Sequence, residues 1–305
     1  MPTRSGLVEI DHLMCTVSDM PAAVTAMSRL GFRLTPESEI GGMSNRLAQL
    51  TPIRAGSANF FELMTINDRT RVPALMQEIL SGPDGLKMIV HVCDDIESAT
   101  RAFAYAEAPI GDTWHVEREW VSDDGLIEDV RFTVLIPQRG ALPFFMNAYK
   151  PNSLSQYTQP KFQHHDNGAL NIRRVYAVCP EGRLAEEVAK LETVYACVAR
   201  RSADGSFTIT PRDVVLDVSD PGLSAHRFEG AVPLPADAST LVGLQIAVVD
   251  LTHTERLLRA NSISPICRPG RVVVRAEDAC GMMIEFVQAS ETHCEATERG
   301  TGNEL

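Results

Sequence analysis

A segment that recurs in degraded copies constrains this chain more than any single residue does. It first runs Ile10-Asp11-His12-Leu13-Met14-Cys15-Thr16-Val17-Ser18-Asp19-Met20-Pro21, passes Leu30-Gly31-Phe32 and closes at Phe60-Phe61-Glu62-Leu63. Val8 to Val17 is rich in apolar and β-favouring residues and reads as a strand. Asp19 suits a helix N-cap, because its side chain can accept from an otherwise unpaired amide, and Pro21 fits the first turn. Val24, Met27 and Leu30 then repeat at helical spacing, and Gly31 ends the helix. Phe32–Leu34, Arg46–Leu50 and Ala58–Ile66 read as further strands, with Gly41-Gly42 breaking the stretch between them. The unit is therefore βαβββ.

Echoes of the unit organise the rest. Met88-Ile89-Val90-His91-Val92-Cys93 opens a second copy, which continues through a helix starting at Asp94-Asp95 and strands at Val130–Ile136 and Leu142–Ala148. A third opens at Ile172–Val178, with a charged helix from Leu184 to about Val194. The fourth opens at Leu244–Leu251 and closes at Met282-Met283-Ile284-Glu285-Phe286-Val287. A single unit cannot cover both faces of its sheet, so units must pair. The expected fold is α+β: four βαβββ modules paired into two domains with curved mixed sheets. Residues 7–150 form the first domain, 151–169 a Gln/Asn/Ser/Pro-rich linker, and 170–290 the second.

Composition narrows the partners. A formal net charge of −12 opposes a broad nucleic-acid surface, which needs clustered Lys and Arg. No apolar run approaches the roughly 20 residues of a membrane helix. The N-terminus Met1-Pro2-Thr3-Arg4-Ser5-Gly6 lacks the apolar core of a signal peptide. Seven cysteines, an odd number with no CxxC pair, argue against a disulfide framework or cysteine zinc site. A cytoplasmic protein is expected. Large β surfaces often pair, which leaves a homodimer open.

Several motifs together resemble the vicinal oxygen chelate superfamily, in particular its glyoxalase-like branch. They are Asp11-His12-Leu13, Asp19-Met20 with Ala23, Leu30-Gly31-Phe32, Gly41-Gly42-Met43-Ser44-Asn45-Arg46-Leu47, Phe61-Glu62-Leu63, Leu142-Pro143-Phe144-Phe145 and His165-Asp166-Asn167-Gly168-Ala169. The C-terminal half matches through its strand-helix pattern and Gly281–Phe286. The resemblance implies glyoxalase/extradiol-dioxygenase-like domains and one divalent metal ion, held by a His on the first strand of a module and a Glu on the last. His12 and Glu62 fall on those positions, with Glu62 also the catalytic carboxylate. An imidazole and a carboxylate suit Zn, Fe(II), Mn or Ni.

The partner module's equivalent positions are Met88 and Met146, and thioethers are poor ligands for hard ions. His165 is then the leading third ligand, ahead of His91. His115 and Glu117 alternate on one strand face and read as solvated. In the C-terminal half the equivalent positions are Arg174 and Gly243, with Glu285 retained, which argues against a ring-cleaving site there. Asn45, Arg46 and Asn167 are candidate substrate contacts, and a pocket arginine favours an anionic substrate.

No serine nucleophile elbow, phosphate loop or GxGxxG is present. The expected function is a metal-dependent lyase or isomerase for a small oxygenated, anionic metabolite. The alternatives are a ring-cleaving extradiol-type dioxygenase and a metal-free binding or sequestration protein, with Phe60, Phe144 and Phe145 shaping its pocket.

Overall fold

The computed structural model describes residues 7–54, 57–93, 95–121, 127–138, 145–149, 157–231 and 238–290. The first module is β1 (Leu7–Thr16), α1 (Met20–Arg29), β2 (Ser38–Ile40), β3 (Met43–Gln49) and β4 (Phe60–Ile66). A short helix, α2 (Ala74–Ile79), leads to the second: β5 (Gly85–Cys93), α3 (Ile96–Tyr105), β6 (Ile110–Val121), β7 (Ile127–Pro137) and β8 (Phe145–Tyr149). The third module is β9 (Ala169–Val178), α4 (Leu184–Tyr195), β10 (Arg200–Arg201), β11 (Phe207–Ile209) and β12 (Val215–Ser219). Helix α5 (Pro221–Phe228) joins it to β13 (Thr240–Val248), α6 (Leu251–Ala260), β14 (Ile266–Arg268), β15 (Arg271–Val274) and β16 (Met283–Gln288).

Each half is one mixed sheet of eight strands. The orders are β2-β3-β4-β1-β5-β8-β7-β6 and β10-β11-β12-β9-β13-β16-β15-β14. In every module the last strand runs parallel to the first, and the first strands of paired modules meet antiparallel at the centre. Aspartates begin four of the helices. Asp19, Asp95, Asp220 and Asp250 each accept from amides in the first turn, satisfying donors the helix itself leaves unpaired.

Strand alternation separates two kinds of core. Leu13, Phe61, Leu63 and Ile89 of the first sheet share one buried cluster with Val175, Leu244, Ile284 and Phe286 of the second. The opposite faces carry their own clusters, around Met14, Met64 and Met76 in one half and Tyr176, Phe228 and Met283 in the other. The halves are thus joined at one face, and each keeps a separate concave face, or cup. Each fully buried Phe or Leu in the shared layer contributes about 2 to 3 kcal/mol.

Residues Phe32–Leu34, expected as a strand, are irregular. Phe32 turns into the shared core, edge-on to Phe61 and stacked 6.1 Å from Phe286. Arg33 gives its amide to the His165 side chain, and Thr35 pairs with Leu47 through both backbone and hydroxyl. Tertiary partners therefore replace a sheet ladder. Helices α2 and α5 were not anticipated, since six and eight residues are too few to show a helical period, although Asp220-Pro221 marks the start of α5.

The halves approach closely at Gly281, which adopts φ +79° before β16. A methyl group there would overlap the backbone carbonyl of Asp84, and neither backbone can move without shifting a sheet. Gly281→Ala is expected to lower the unfolding free energy by about 2 to 4 kcal/mol. Urea denaturation measures this, and an unchanged midpoint would refute the contact.

Candidate active site in the N-terminal cup

His12 sits at the centre of the first sheet. It is paired with Phe60 of β4 on one side and Val90 of β5 on the other. Parallel register then places Glu62 beside Met14, so His12, Met14, Phe60, Glu62 and Met64 share the concave face. His12 Nε2 lies 3.5 Å from Glu62 Oε2. Both residues are largely buried, at 9% and 7% exposure. The imidazole stacks on Phe60 at 4.4 Å, and Phe60 stacks on Tyr157 at 5.2 Å.

Two neighbours fix the pair. Asn45 of β3 donates its Nδ2 to Glu62 Oε1 at 2.5 Å, turning Oε2 toward the imidazole. Asp11 accepts from His12 Nδ1 at 2.6 Å and is only 3% exposed. Adjacent strand residues normally point to opposite faces. Here the β1–β5 register slips between Ile10 and His12, leaving Asp11 in a β-bulge that re-aims its side chain. Asp11 was not foreseen as a site residue, because no glycine or other local signal marks the bulge.

Asp11 also sets the tautomer. A carboxylate accepting at Nδ1 requires the proton there, which leaves the Nε2 lone pair facing Glu62. A lone pair and a carboxylate oxygen at this separation repel unless positive charge lies between them. That charge is either a second imidazole proton or a cation. The spacing is close to that of two ligands on one ion with bonds of about 2.1 Å. Nitrogen and oxygen donors with a carboxylate behind the imidazole fit a divalent ion in kind. Among the described residues no group of three His, Cys, Asp or Glu side chains converges as a metal site, and His12 and Glu62 are the two donors placed to share an ion.

The pair opens onto a cavity of about 70 Å³ that communicates with solvent at its mouth. Asn45, Glu62 and His12 stand at one end. Met14, Met64 and Met76 and, from the second module, Trp114, Phe132 and Val134 form most of the wall.

The other candidates lie elsewhere. Arg46 alternates to the opposite side of β3, where it donates to the Thr35 carbonyl and pairs with Glu37. Asn167 is fully buried and ties the end of α1 to α6: it donates to the Leu30 carbonyl and accepts from Thr254. His91 faces the joint between halves, with Nε2 bonded to Tyr195 at 2.6 Å. His115 and Glu117 are exposed on the outer face of the β6–β7 hairpin, beside Thr133 and Arg131. Met88 is on the cup-facing side of β5, opposite Met14. Phe144 falls outside the described residues.

His165 is not beside His12. Its Nδ1 accepts from the Arg33 amide and its Nε2 donates to the Gln49 carbonyl, so both nitrogens serve the backbone. The anticipated third ligand is instead a brace for the loop after α1.

The second cup shows what the equivalent positions have become. Tyr176 faces Asp217 as Met14 faces Glu62, which puts Arg174 in the place of His12. Its Nη1 donates to Asp217 Oδ2 at 2.5 Å, and Arg227 of α5 donates to the other oxygen at 2.9 Å. Glu285 accepts from Tyr176, from Gln245 at 2.6 Å and from Arg271 at 3.0 Å. Burial, and then the Glu285 charge, hold the Tyr176 phenol well above its ordinary pKa. Phe228 packs edge-on against Tyr176. Guanidinium groups thus neutralise the carboxylates where an ion could have bound.

His165 yields a pH prediction. Burial is the main cause that lowers its pKa from 6.5 to about 4. The unfolded chain takes up that proton near pH 6.5 and the folded protein only near 4, so stability is present above this window and lost as pH falls through it. Between pH 7 and 4.5 the native protein should lose about 2 to 3 kcal/mol more than His165→Gln does. Urea unfolding at both pH values measures this, and equal losses would contradict it.

Comparison with known proteins adds the family. Residues 10–192 match the family model described as a glyoxalase-like domain. No curated protein matches the chain. Solved structures share its architecture at low identity. A hypothetical protein from Staphylococcus aureus is 14% identical, with 92% of this chain and 98% of that chain covered and a TM-score of 0.58. A variant of 4-hydroxymandelate synthase from Streptomyces coelicolor is 12% identical, with 97% and 100% covered and a TM-score of 0.59. Homoprotocatechuate 2,3-dioxygenase from Arthrobacter globiformis is 10% identical, with 93% and 80% covered and a TM-score of 0.55. At such identities the likeness establishes the fold alone. The family match over more than half of the chain, with the four-module topology, makes this protein a glyoxalase-like member of the vicinal oxygen chelate superfamily.

Proposed function

We propose that this protein is a metal-assisted lyase or isomerase acting on a small oxygenated molecule in its N-terminal cup. The observation that carries this reading is the 3.5 Å approach of His12 Nε2 to Glu62 Oε2, each held from behind by a dedicated partner. His12 and Glu62 would hold the ion, with water and substrate oxygens as its other ligands. A bound divalent ion supplies Lewis acidity, which stabilises negative charge on a substrate oxygen.

The chain's own residues supply the rest. Asp11 retains the proton on His12 Nδ1 and directs Nε2 toward Glu62. Asn45 fixes the Glu62 rotamer. Glu62 is the carboxylate lining the cavity among the described residues, and it would give Oε2 to the ion while Oε1 stays on Asn45. The apolar walls exclude water and strengthen each of these interactions. Ring cleavage is the alternative suggested by the fold shared with homoprotocatechuate 2,3-dioxygenase. The apolar lining favours a further reading, binding or sequestration without metal.

Metal analysis after reconstitution with Zn, Fe(II), Mn or Ni tests the proposal. One equivalent per chain is expected, lost in His12→Ala and in Glu62→Ala. Asp11→Asn should weaken metal affinity by about 10- to 100-fold. Absence of bound metal in the reconstituted native protein would favour sequestration. Oxygen uptake with catechols would favour ring cleavage.

A further inference from the structure

We infer that β6 is the interface through which two copies of this chain associate, antiparallel and edge to edge, so that their N-terminal sheets run on as one. The inference goes beyond the function of the cup and does not depend on metal binding. The sheet order singles out the strand. The four sheet edges are β2, β6, β10 and β14. Three of them are cut short, at three, two and three residues. β6 has twelve, from Ile110 to Val121, and among the described residues it pairs with β7 alone. A long edge presents a row of backbone amides and carbonyls that templates a further strand, and natural sheets commonly guard it with proline or lysine. Ile110–Val121 contains neither.

The hairpin itself points to an added strand. β7 pairs with β6 from Ile127 to Pro137 but meets β8 only over Thr133–Leu135. Among the described residues the outer part of the hairpin is thus a two-stranded ribbon, which is marginal alone and gains from further strands. The corresponding hairpins of the other three modules pair over only two or three positions. Trp114 of β6 and Phe132 of β7 line the N-terminal cavity, so a strand added at β6 would also brace that wall.

Charge order selects a second copy as that strand. Thr113, His115, Glu117 and Glu119 alternate along one exposed face of β6. Within one copy Glu117 pairs with Arg131 at 2.9 Å and His115 with Thr133 at 3.0 Å, which orders both side chains against β7. Two identical antiparallel strands are related by a twofold axis, and an axis at Val116 sets each His115 opposite the partner's Glu117. Imidazole and carboxylate then attract at two symmetric positions. An axis one step on, at Glu117, sets that carboxylate against its own copy. A further step sets Glu117 against the partner's Glu119, so like charge opposes both registers.

Sedimentation velocity of the full chain at about 1 to 100 µM tests the inference. The native chain should sediment as a dimer. His115→Glu opposes carboxylates at both symmetric positions and should weaken the dimer by about 10-fold, and Glu117→Lys, which removes both attractions, by about 3-fold. Equal mixing of the two variants should restore association. In the mixed dimer the introduced glutamate faces the introduced lysine, and the native Glu117 faces the native His115. Thermal melting of each variant confirms that it is folded. A native chain that stays monomeric, a dimer that neither variant weakens, or folded variants that fail to recombine would overturn the inference.

Discussion

The hydrogen bond from His12 to Asp11 is the constraint on which the cup's chemistry depends. A regular strand would send these neighbours to opposite faces. The bulge at Asp11 brings both to one ring, and the carboxylate then dictates which imidazole nitrogen carries the proton. Nε2 is left facing Glu62, and that carboxylate is itself pinned by Asn45. Local backbone irregularity, side-chain orientation and proton position are links of one chain of cause. Removing the bulge would leave the ring without its orienting group, although the sheet could persist.

The two halves solve the same electrostatic problem differently. Paired modules place carboxylates on a concave, largely dry face, where isolated charge is costly. In the C-terminal cup the answer is internal: Arg174 and Arg227 hold Asp217, and Arg271 holds Glu285. Arg227 also binds Asp204, which lowers that carboxyl's pKa to about 2. In the N-terminal cup no guanidinium is among the described lining residues, and Glu62 is approached by His12 and Asn45. The same fold therefore sets arginines against the carboxylates of one face and an imidazole and an amide against that of the other.

Much of the architecture was legible because module periodicity and punctuation are local signals. The Asp19 cap and the Leu184 helix follow from neighbours in sequence. The approach of His12 to Glu62 was also open to inference, since parallel register and alternation fix which residues share a face. Long-range facts were not legible. His165 and Asn167 occupy a motif that looks functional, yet both serve backbone groups more than 100 positions away. Arg46 differs from Asn45 by one step of alternation, which decides whether it meets the cavity. Nothing in the composition announced an apolar cavity walled by methionines, because core and pocket use the same residues.

The most direct measurement of the central claim is the nitrogen NMR signal of the His12 ring, followed as zinc is added to the metal-free protein. The account predicts Nδ1 protonated throughout, with the Nε2 resonance shifting on zinc addition and unresponsive in Glu62→Ala. A ring protonated at Nε2 in the resting protein, with no change as zinc is added, would contradict it.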